Sequence, residues 1–379
     1  MQIISSALVT SCGIGKCALI DSIYSGKLTH RAFSSRPTTK KPLMFPSFYE
    51  GAQYCPLPSS FYQKANSARD VFFNLFDEIF SQLKSNTPGE FDYSKMGMIF
   101  CSTKGATEDY LGIAAQKFAD PIHSVLDSYL TAREMNFAKS ICISNACSSS
   151  HVGIFLANKW LLRDEAEEVV VISSDLIGSF VASGFNSLKA LGTTPIRPFD
   201  GKRDGLLLGE ACAAVVFGKN RGPLNTSIGI KISKVGFITD PGATIRPNAE
   251  GESLYQLIKN HGMDIGVDAI IAHGTSTPAN DLSEAKAYER LFPENNIPIT
   301  ASKWCIGHTM GASGLIDLIL AMDSIESGRL FPISTLKERD PNINSLVINE
   351  TLSAEFNNIL VSSLGFGGIA AAFNVISEN

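Results

Sequence analysis

The chain has 379 residues, of which 44% are hydrophobic and 18% are charged, and its formal net charge at pH 7 is -5. This composition is typical of a globular protein and excludes a disordered chain, while the acidic balance disfavours nucleic acid as a partner. No run reaches the roughly 18 consecutive apolar residues that a membrane span needs, and the N-terminus lacks a basic signal-peptide segment, so we expect a cytoplasmic protein.

Short runs rich in Val and Ile alternate with longer stretches that have apolar residues at helical spacing. This alternation predicts an α/β protein in which helices cover a parallel or mixed sheet. The predicted strands are residues 96–101, 140–144, 168–174, 268–273 and 358–363. The predicted helices are residues 67–84, 150–163, 281–291 and 312–326. Residues 28–60, rich in Pro, Ser and Thr, predict an extended surface loop.

One local pattern occurs twice. A strand, a turn of small residues with a reactive side chain and an apolar helix follow one another around Cys147, and the same order returns around His308. The repetition predicts two similar halves, residues 1–225 and 226–379, joined where KNRGPLNTS interrupts the pattern.

Cys147 is the candidate nucleophile. In SICISNACSSSHVGIFLANKWLL, an apolar strand leads through small polar residues directly into a helix, which places Cys147 at the helix N-terminus. Free backbone N–H groups and the helix dipole favour a thiolate there and predict a thiol pKa below the usual value of about 8.5. The alternative is a buried structural cysteine, as we expect for most of the other seven, since no pair of cysteines forms a C-x-x-C unit.

Two further segments carry candidate catalytic side chains. HGTSTPAND places His273 at the end of a predicted strand, where α/β proteins collect functional residues. SKWCIGHTMGASG places Lys303 and His308 just before an apolar helix, beside glycines that allow close approach of a ligand. A metal site built on these histidines is disfavoured, because no third ligand stands at a short helical spacing.

Together these segments resemble the β-ketoacyl-acyl carrier protein synthases of the thiolase-like superfamily. The motifs that carry the resemblance are SNACSSS, RPFDGKRDGLLLGEAC at residues 197–212, HGTSTPAND, SKWCIGHTMGASG and SLGFGG at residues 363–368. They occur in the order found in that family. The resemblance implies a thiolase-like fold of two pseudo-repeated halves in a layered αβαβα arrangement.

The resemblance also implies an elongating condensing enzyme with a Cys147–His273–His308 triad. His308 distinguishes this triad from that of the initiating synthases, which have Asn, and from that of thiolases, which use a second Cys. Cys147 would carry the acyl group, and the backbone N–H groups of Cys147 and Phe366 would form the oxyanion hole. Phe366 also resembles a residue that gates the acyl pocket in this family, although ordinary core packing is the alternative. Residues 101–111 would line or close that pocket.

The resemblance assigns supporting roles as well. Lys303 would orient the site through a charge network with Glu284, although a purely structural ion pair is the alternative. Thr275 and Thr277 resemble the hydroxyls that bind the phosphopantetheine arm of acyl carrier protein, the expected partner, and no other cofactor is implied. Lys64 and Arg69 resemble the basic patch to which the carrier docks in this family, although a solvated helix start is the alternative. A homodimer is expected, and a heterodimer with a synthase-like chain is the alternative.

Other functions remain as alternatives. A chain-length-factor-like subunit resembles a synthase but lacks the nucleophile, so Cys147 argues against it. A thiolase is disfavoured by His308 and by the lack of a cysteine in the GFGG loop. A serine hydrolase is disfavoured because no G-x-S-x-G elbow is present.

Overall fold

The computed structural model describes residues 1–32, 53–63, 65–87, 89–111, 120–219 and 229–378. Its strands are β1 (Gln2–Thr10), β2 (Gly13–Ile14), β3 (Arg31–Ala32), β4 (Gln53–Cys55), β5 (Met96–Cys101), β6 (Lys139–Ile143), β7 (Glu168–Asp175), β8 (Leu208–Gly209), β9 (Ala211–Gly218), β10 (Gly229–Thr239), β11 (Ala269–Ile271), β12 (Ile299–Thr300), β13 (Arg329–Leu330), β14 (Leu352–Ser353), β15 (Asn358–Gly365) and β16 (Ile369–Glu378). Its α-helices are α1 (Gly15–Tyr24), α2 (Ser60–Gln63), α3 (Ala68–Asn86), α4 (His123–Ala132), α5 (Ser149–Leu162), α6 (Ser179–Ser187), α7 (Glu252–Asn260), α8 (Pro278–Leu291), α9 (Lys303–Ile306) and α10 (Ser313–Ser327).

In the part of the chain that the structure describes, the large sheet consists of two half-sheets with the same internal arrangement. The first has the order β6-β5-β7-β9-β1 and the second the order β12-β11-β15-β16-β10. In both, the first three strands are parallel and the last two are antiparallel to their neighbours. The half-sheets meet where Gln2 of β1 pairs with Lys231 of β10. The predicted duplication is therefore confirmed, whereas the boundary at residue 225 lies in 220–228, outside the described residues.

Two helices form a layer between the half-sheets. Helix α5 packs on β5 and β7 of its own half and on β10 and β16 of the other half. Helix α10 packs on β15, β16 and β9, and the two helices contact each other. Such a position requires a helix that is apolar around most of its circumference, and nearly every residue of α10 up to Ile325 is buried.

The outer faces of the half-sheets carry the remaining layers. Helix α3 covers β1 and β9, while α7 covers β10 and β16 and packs on α8. Strand β5 shows how one strand serves two layers, because successive side chains point to opposite faces of a sheet. Met98 and Phe100 belong to the hydrophobic cluster of α3, and Ile99 and Cys101 belong to the cluster of the central helices. The result is the αβαβα arrangement.

Most predicted elements are confirmed to within a few residues. Among the small differences, the predicted strand 268–273 ends at Ile271 and the predicted helix 281–291 begins at Pro278. The antiparallel strands β1, β9, β10 and β16 and the helices α1, α4, α6 and α7 were not predicted. Strand β9, with the sequence ACAAVVFG, shows why, since alanine carries no strand signal. Among the described residues, none of the helices has the length and apolar character needed to cross a membrane.

Candidate active site

Cys147 lies at the turn between β6 and α5, and only 5% of its surface is exposed. The preceding residue, Ala146, has a φ of 48°, in the left-handed region, which turns the chain sharply from the strand into the helix. The Ser149 hydroxyl holds this turn, since it accepts a hydrogen bond from the backbone N–H of Asn145 at 2.8 Å and donates to the carbonyl of Ala146 at 2.6 Å. The predicted position of Cys147 immediately before a helix is confirmed.

His308 lies beside Cys147, with its Nε2 atom 3.0 Å from the Sγ atom. Two backbone hydrogen bonds hold His308 in place. Its N–H donates to the carbonyl of Leu207 at 2.7 Å, and its carbonyl accepts from the N–H of Gly209 at 3.0 Å. The motif at residues 197–212 therefore positions His308 through backbone pairing, a role that its spacing in the sequence does not reveal.

His273 follows β11 and faces His308. Its backbone N–H donates to Oε1 of Glu284 at 2.7 Å, and the N–H of Gly274 donates to Oε2 at the same distance. The two imidazole rings are 5.2 Å apart between centroids and almost perpendicular. The Nδ1 atoms of His273 and His308 lie 3.4 Å and 3.5 Å from the hydroxyls of Ser363 and Ser313.

Burial sets the protonation of these groups. It raises the pKa of Cys147 to about 12, while the charge of Lys303 acts in the opposite direction. The prediction of a lowered thiol pKa is therefore wrong, because desolvation outweighs the local N–H groups. Burial, with the Lys303 charge second, also holds the pKa values of His273 and His308 well below their usual range. At neutral pH the site contains a thiol beside two neutral imidazoles.

Lys303 is almost fully buried and forms its ion pair with Asp317 of α10, with 3.8 Å between Nζ and Oδ2. The predicted charge network of Lys303 with Glu284 is therefore wrong in its partner, since Lys303 pairs with Asp317. Glu284 accepts hydrogen bonds from backbone N–H groups at the start of the His273 loop and from the hydroxyl of Tyr288. Burial raises the pKa of Glu284, and the opposing contribution of Lys303 is smaller than those of the hydrogen bonds from Gly274, His273 and Tyr288.

The glycine loop after β15 brings a second backbone donor to the nucleophile. The backbone N–H groups of Phe366 and Cys147 both act to lower the pKa of the Cys147 thiol. This approach depends on Gly365, where a Cβ atom would lie 3.1 Å from the Ser148 hydroxyl. The Phe366 ring packs on Phe185 with 5.5 Å between centroids. The two N–H groups named for the oxyanion hole are thus neighbours.

The triad opens into a cleft with a volume of about 320 Å³. Thr275 and Thr277 line this cleft together with Phe366, and the two threonine hydroxyls are 3.0 Å apart. Among the described residues, those at 101–111 do not line it. In that segment, Thr103 hydrogen-bonds to Asp175 and Glu108 accepts a hydrogen bond from Phe180 N–H at the start of α6.

Sequence reasoning missed several residues of the site. The sequence contains one indication of Asp317, because it is a charged residue among the apolar residues at the start of α10. Lys189 and Arg246 line the cleft from exposed loops, and no pattern in the sequence indicated them.

Of the two predicted docking residues, Lys64 lies outside the described residues. Arg69 is half-buried and donates to the Tyr110 hydroxyl at 3.1 Å.

The triad atoms also form a set of potential metal ligands. One ligand atom from each of Cys147, His273 and His308 lies within 4.8 Å of the others. The three residues are far apart in the sequence and meet only in the folded chain. The lack of a third ligand at a short helical spacing is therefore not an argument against a metal. A cysteine with two histidines is a donor set that suits zinc, and the absence of a resident metal stays a prediction.

Comparison with known proteins identifies the family. Residues 102–221 match the model of the beta-ketoacyl synthase N-terminal domain, and residues 230–337 match that of the C-terminal domain. The chain belongs to the beta-ketoacyl synthase family. A curated relative of this family, 3-oxoacyl-[acyl-carrier-protein] synthase 2 of Coxiella burnetii, is 29% identical over 249 residues, which cover 60% of this chain. The match spans 59% of that relative's length.

Solved structures of the family share the fold. A beta-ketoacyl synthase from Burkholderia phymatum superimposes with a TM-score of 0.81 at 18% identity, over 100% of this chain and 99% of that one. A ketosynthase in complex with its chain length factor from Xenorhabdus doucetiae gives a TM-score of 0.77 at 18% identity, over 100% of this chain and 98% of that one. The thiolase-like fold predicted from the motifs is confirmed.

Proposed function

We propose that this chain is a β-ketoacyl-acyl carrier protein synthase, an acyltransferase that joins a Cys147-bound acyl group to malonyl carrier protein in a decarboxylative Claisen condensation. The observation that carries the proposal is the 3.0 Å contact between Cys147 Sγ and His308 Nε2, with the His273 ring facing His308 across the same cleft. A nucleophile in contact with a neutral base is the arrangement that covalent acyl transfer requires.

The first half-reaction loads the acyl group. The neutral Nε2 of His308 accepts the proton of the Cys147 thiol as the sulfur attacks the carbonyl carbon of the incoming thioester. The backbone N–H groups of Cys147 and Phe366 stabilise the negative charge that develops on the carbonyl oxygen. When the tetrahedral intermediate collapses, the bond to the pantetheine sulfur breaks, and that sulfur leaves with the proton from His308.

The second half-reaction forms the carbon–carbon bond. After loading, the Nε2 atom of His308 is again unprotonated, and proton exchange with solvent converts this ring to the tautomer with its proton on Nε2. Neutral His273 and His308, each then with a proton on Nε2, donate hydrogen bonds to the malonyl thioester oxygen as carbon dioxide leaves and an enolate forms. The low pKa values of both rings support this role, since the rings stay neutral at physiological pH. The enolate carbon then attacks the carbonyl carbon of the Cys147 thioester, the bond from that carbon to the sulfur breaks, and the released Cys147 thiolate takes up a proton from solvent.

Substrates would reach the triad on the phosphopantetheine of acyl carrier protein, with no further cofactor. The hydroxyls of Thr275 and Thr277, adjacent in the cleft, suit the amide groups of that arm. Lys189 and Arg246 are exposed cations at the same cleft and suit an acidic, phosphate-bearing carrier. These two residues replace Lys64 and Arg69 as our proposed docking site.

We also infer that the chain functions as a dimer in the cytoplasm. Strand β6 forms the outer edge of the first half-sheet, and among the described residues no strand pairs with its free side. Ile141 on this strand is 38% exposed. Unpaired edges of this kind are covered in stable proteins, and a second copy or a synthase-like chain would cover this one. The complex with a chain length factor in a structural relative supports the second possibility.

Intact-protein mass spectrometry after mixing with short acyl carrier protein thioesters tests the proposal. We expect an acyl adduct on the wild type and none on Cys147→Ala, and we expect malonyl carrier protein to convert the adduct to a β-ketoacyl product. Absence of an adduct with every acyl length would overturn the enzyme assignment. The non-catalytic partner role would then be the better account.

A further inference from the structure

Two cysteines outside the triad form a close pair between distant parts of the chain. Cys12 lies in the turn between β1 and β2, and Cys305 lies in α9, the short helix that carries Lys303 and precedes His308. Their Sγ atoms are 3.7 Å apart although 293 positions separate them in the sequence. Neither has a role in the proposed reaction.

We propose that Cys12 and Cys305 form a reversible oxidation site, at which a peroxide converts the two thiols into a disulfide that links the β1–β2 turn to α9.

The surroundings of the pair give its two members different reactivities. Cys305 is buried, and its thiol lies 3.3 Å from the carbonyl of Lys27. Cys12 is partly exposed, so an oxidant can reach it. The hydrogen bond from Cys305 lowers the pKa of Cys12 to about 7, whereas the same contact and burial raise that of Cys305. A thiolate beside a neutral thiol is the arrangement of an attacking and a resolving cysteine.

The chemistry balances in two steps. The Cys12 thiolate attacks one peroxide oxygen, the O–O bond breaks, and the products are Cys12 sulfenic acid and hydroxide, which a proton converts to water. Cys305 then attacks the sulfenic sulfur, the S–OH bond breaks, and the departing hydroxide takes the Cys305 proton as a second water. Two thiols are thereby oxidised by two electrons, and one peroxide is reduced.

Closure of the disulfide requires the sulfurs to approach from 3.7 Å to about 2 Å. His308 is held by backbone hydrogen bonds to residues 207 and 209, so the approach is expected at the Cys12 side. Cys12 lies in a turn, and its backbone N–H is bonded only to the hydroxyl of Thr10 among the described residues. The cross-link therefore stabilises the fold and leaves the triad in place.

Peptide mapping tests the pairing. The full-length protein is treated with stoichiometric hydrogen peroxide, its free thiols are alkylated, and its peptides are analysed without reduction. We expect a linked Cys12–Cys305 peptide and a mass loss of two hydrogens, both reversed by dithiothreitol. Cys17, which is exposed and has no neighbouring thiol in the described structure, should remain alkylated.

Thermal unfolding is the second readout, and it does not depend on catalysis. The oxidised wild type and Cys17→Ser should unfold at a higher temperature than their reduced forms, and Cys12→Ser and Cys305→Ser should show no such shift. A linked Cys12–Cys55 peptide, or no linked peptide when Cys12 has been oxidised to sulfinic acid, would overturn the proposal. So would an unchanged midpoint in the oxidised wild type.

Discussion

The carboxylate of Asp317 lies 3.8 Å from the Nζ atom of Lys303, and both side chains are almost completely buried between the half-sheets. Lys303 has no hydrogen-bond partner among the described residues, so Asp317 provides its countercharge. Burial raises the pKa of Asp317, and the ammonium group opposes that change. Because the Lys303 charge also lowers the pKa values of both triad histidines, this pair affects protonation in the site.

Asp317→Asn should destabilise the protein by about 3–5 kcal/mol, because it leaves the Lys303 charge buried without a partner. The double variant Lys303→Met with Asp317→Asn should lose less, since no charge then remains. Urea unfolding of both variants and of Lys303→Met measures the coupling. Losses that simply add would show that the two residues do not interact.

The two histidines should differ in the first step, because His308 acts in both acylation and decarboxylation whereas His273 acts only in decarboxylation. His308→Ala should slow the acylation of Cys147 by about 10²–10⁴-fold, because it removes the base in contact with the thiol. His273→Ala should retain most of the acylation and lose decarboxylation. Single-turnover mass spectrometry follows the first step, and release of carbon dioxide from malonyl carrier protein follows the second. Equal loss of both steps in both variants would contradict this division.

Buried neutral histidines should make the protein sensitive to acid. His151 lies in the central layer, and neither ring nitrogen has a hydrogen-bond partner in the described structure. Burial lowers its pKa to about 3. Below pH 6.5 the unfolded state takes up a proton that folded His151 does not bind, so stability falls as the pH decreases from about 6.5 towards 3.

His151→Leu should remove this contribution, which is about 1.4 kcal/mol for each pH unit in that window. The measurement is the free energy of urea unfolding at several pH values from 7 to 5 for the wild type and the variant. The difference between the two proteins isolates His151 from the buried carboxyl groups. A difference that does not change with pH would disprove a neutral, buried imidazole.

Gly209 should be required for the position of His308. A Cβ atom at Gly209 would lie 2.1 Å from the carbonyl oxygen of Ile306, so Gly209→Ala must displace α9 or β8. We expect a loss of stability of about 1–3 kcal/mol and slower acylation of Cys147. Gly184→Ala in α6 is the matched control, because no atom lies within 4 Å of its Cβ position. Differential scanning calorimetry and the acylation assay compare the two variants.

Lys189→Glu with Arg246→Glu should weaken acyl carrier protein binding, most strongly at low salt, because exposed charges are screened as ionic strength rises. Arg163→Glu, an exposed change at the far end of α5, is the control. Calorimetric titration with the carrier at two salt concentrations measures the effect. Equal affinity for all proteins would place the docking site elsewhere.

Local sequence patterns predicted the parallel strands and the long helices because each has its own periodicity. They also predicted the turn at Cys147, where small residues connect a strand to an apolar helix. The antiparallel strand β9 escaped detection, since its alanines become a strand only when paired between β1 and β7. The prediction that Lys303 interacts with Glu284 was wrong for a related reason. Asp317 approaches Lys303 only when α10 packs behind α9.

The sequence by itself determined the α/β class, the duplicated halves and the family, and it predicted the cysteine and the two histidines that the structure brings together, because local periodicity and motif order express these properties. Only the tertiary structure decided how the triad is charged and supported. The depth of burial converts the expected thiolate of Cys147 into a thiol, and the packing of α10 selects Asp317 as the countercharge of Lys303. Desolvation and long-range contacts depend on how all layers enclose the site, which no single segment specifies.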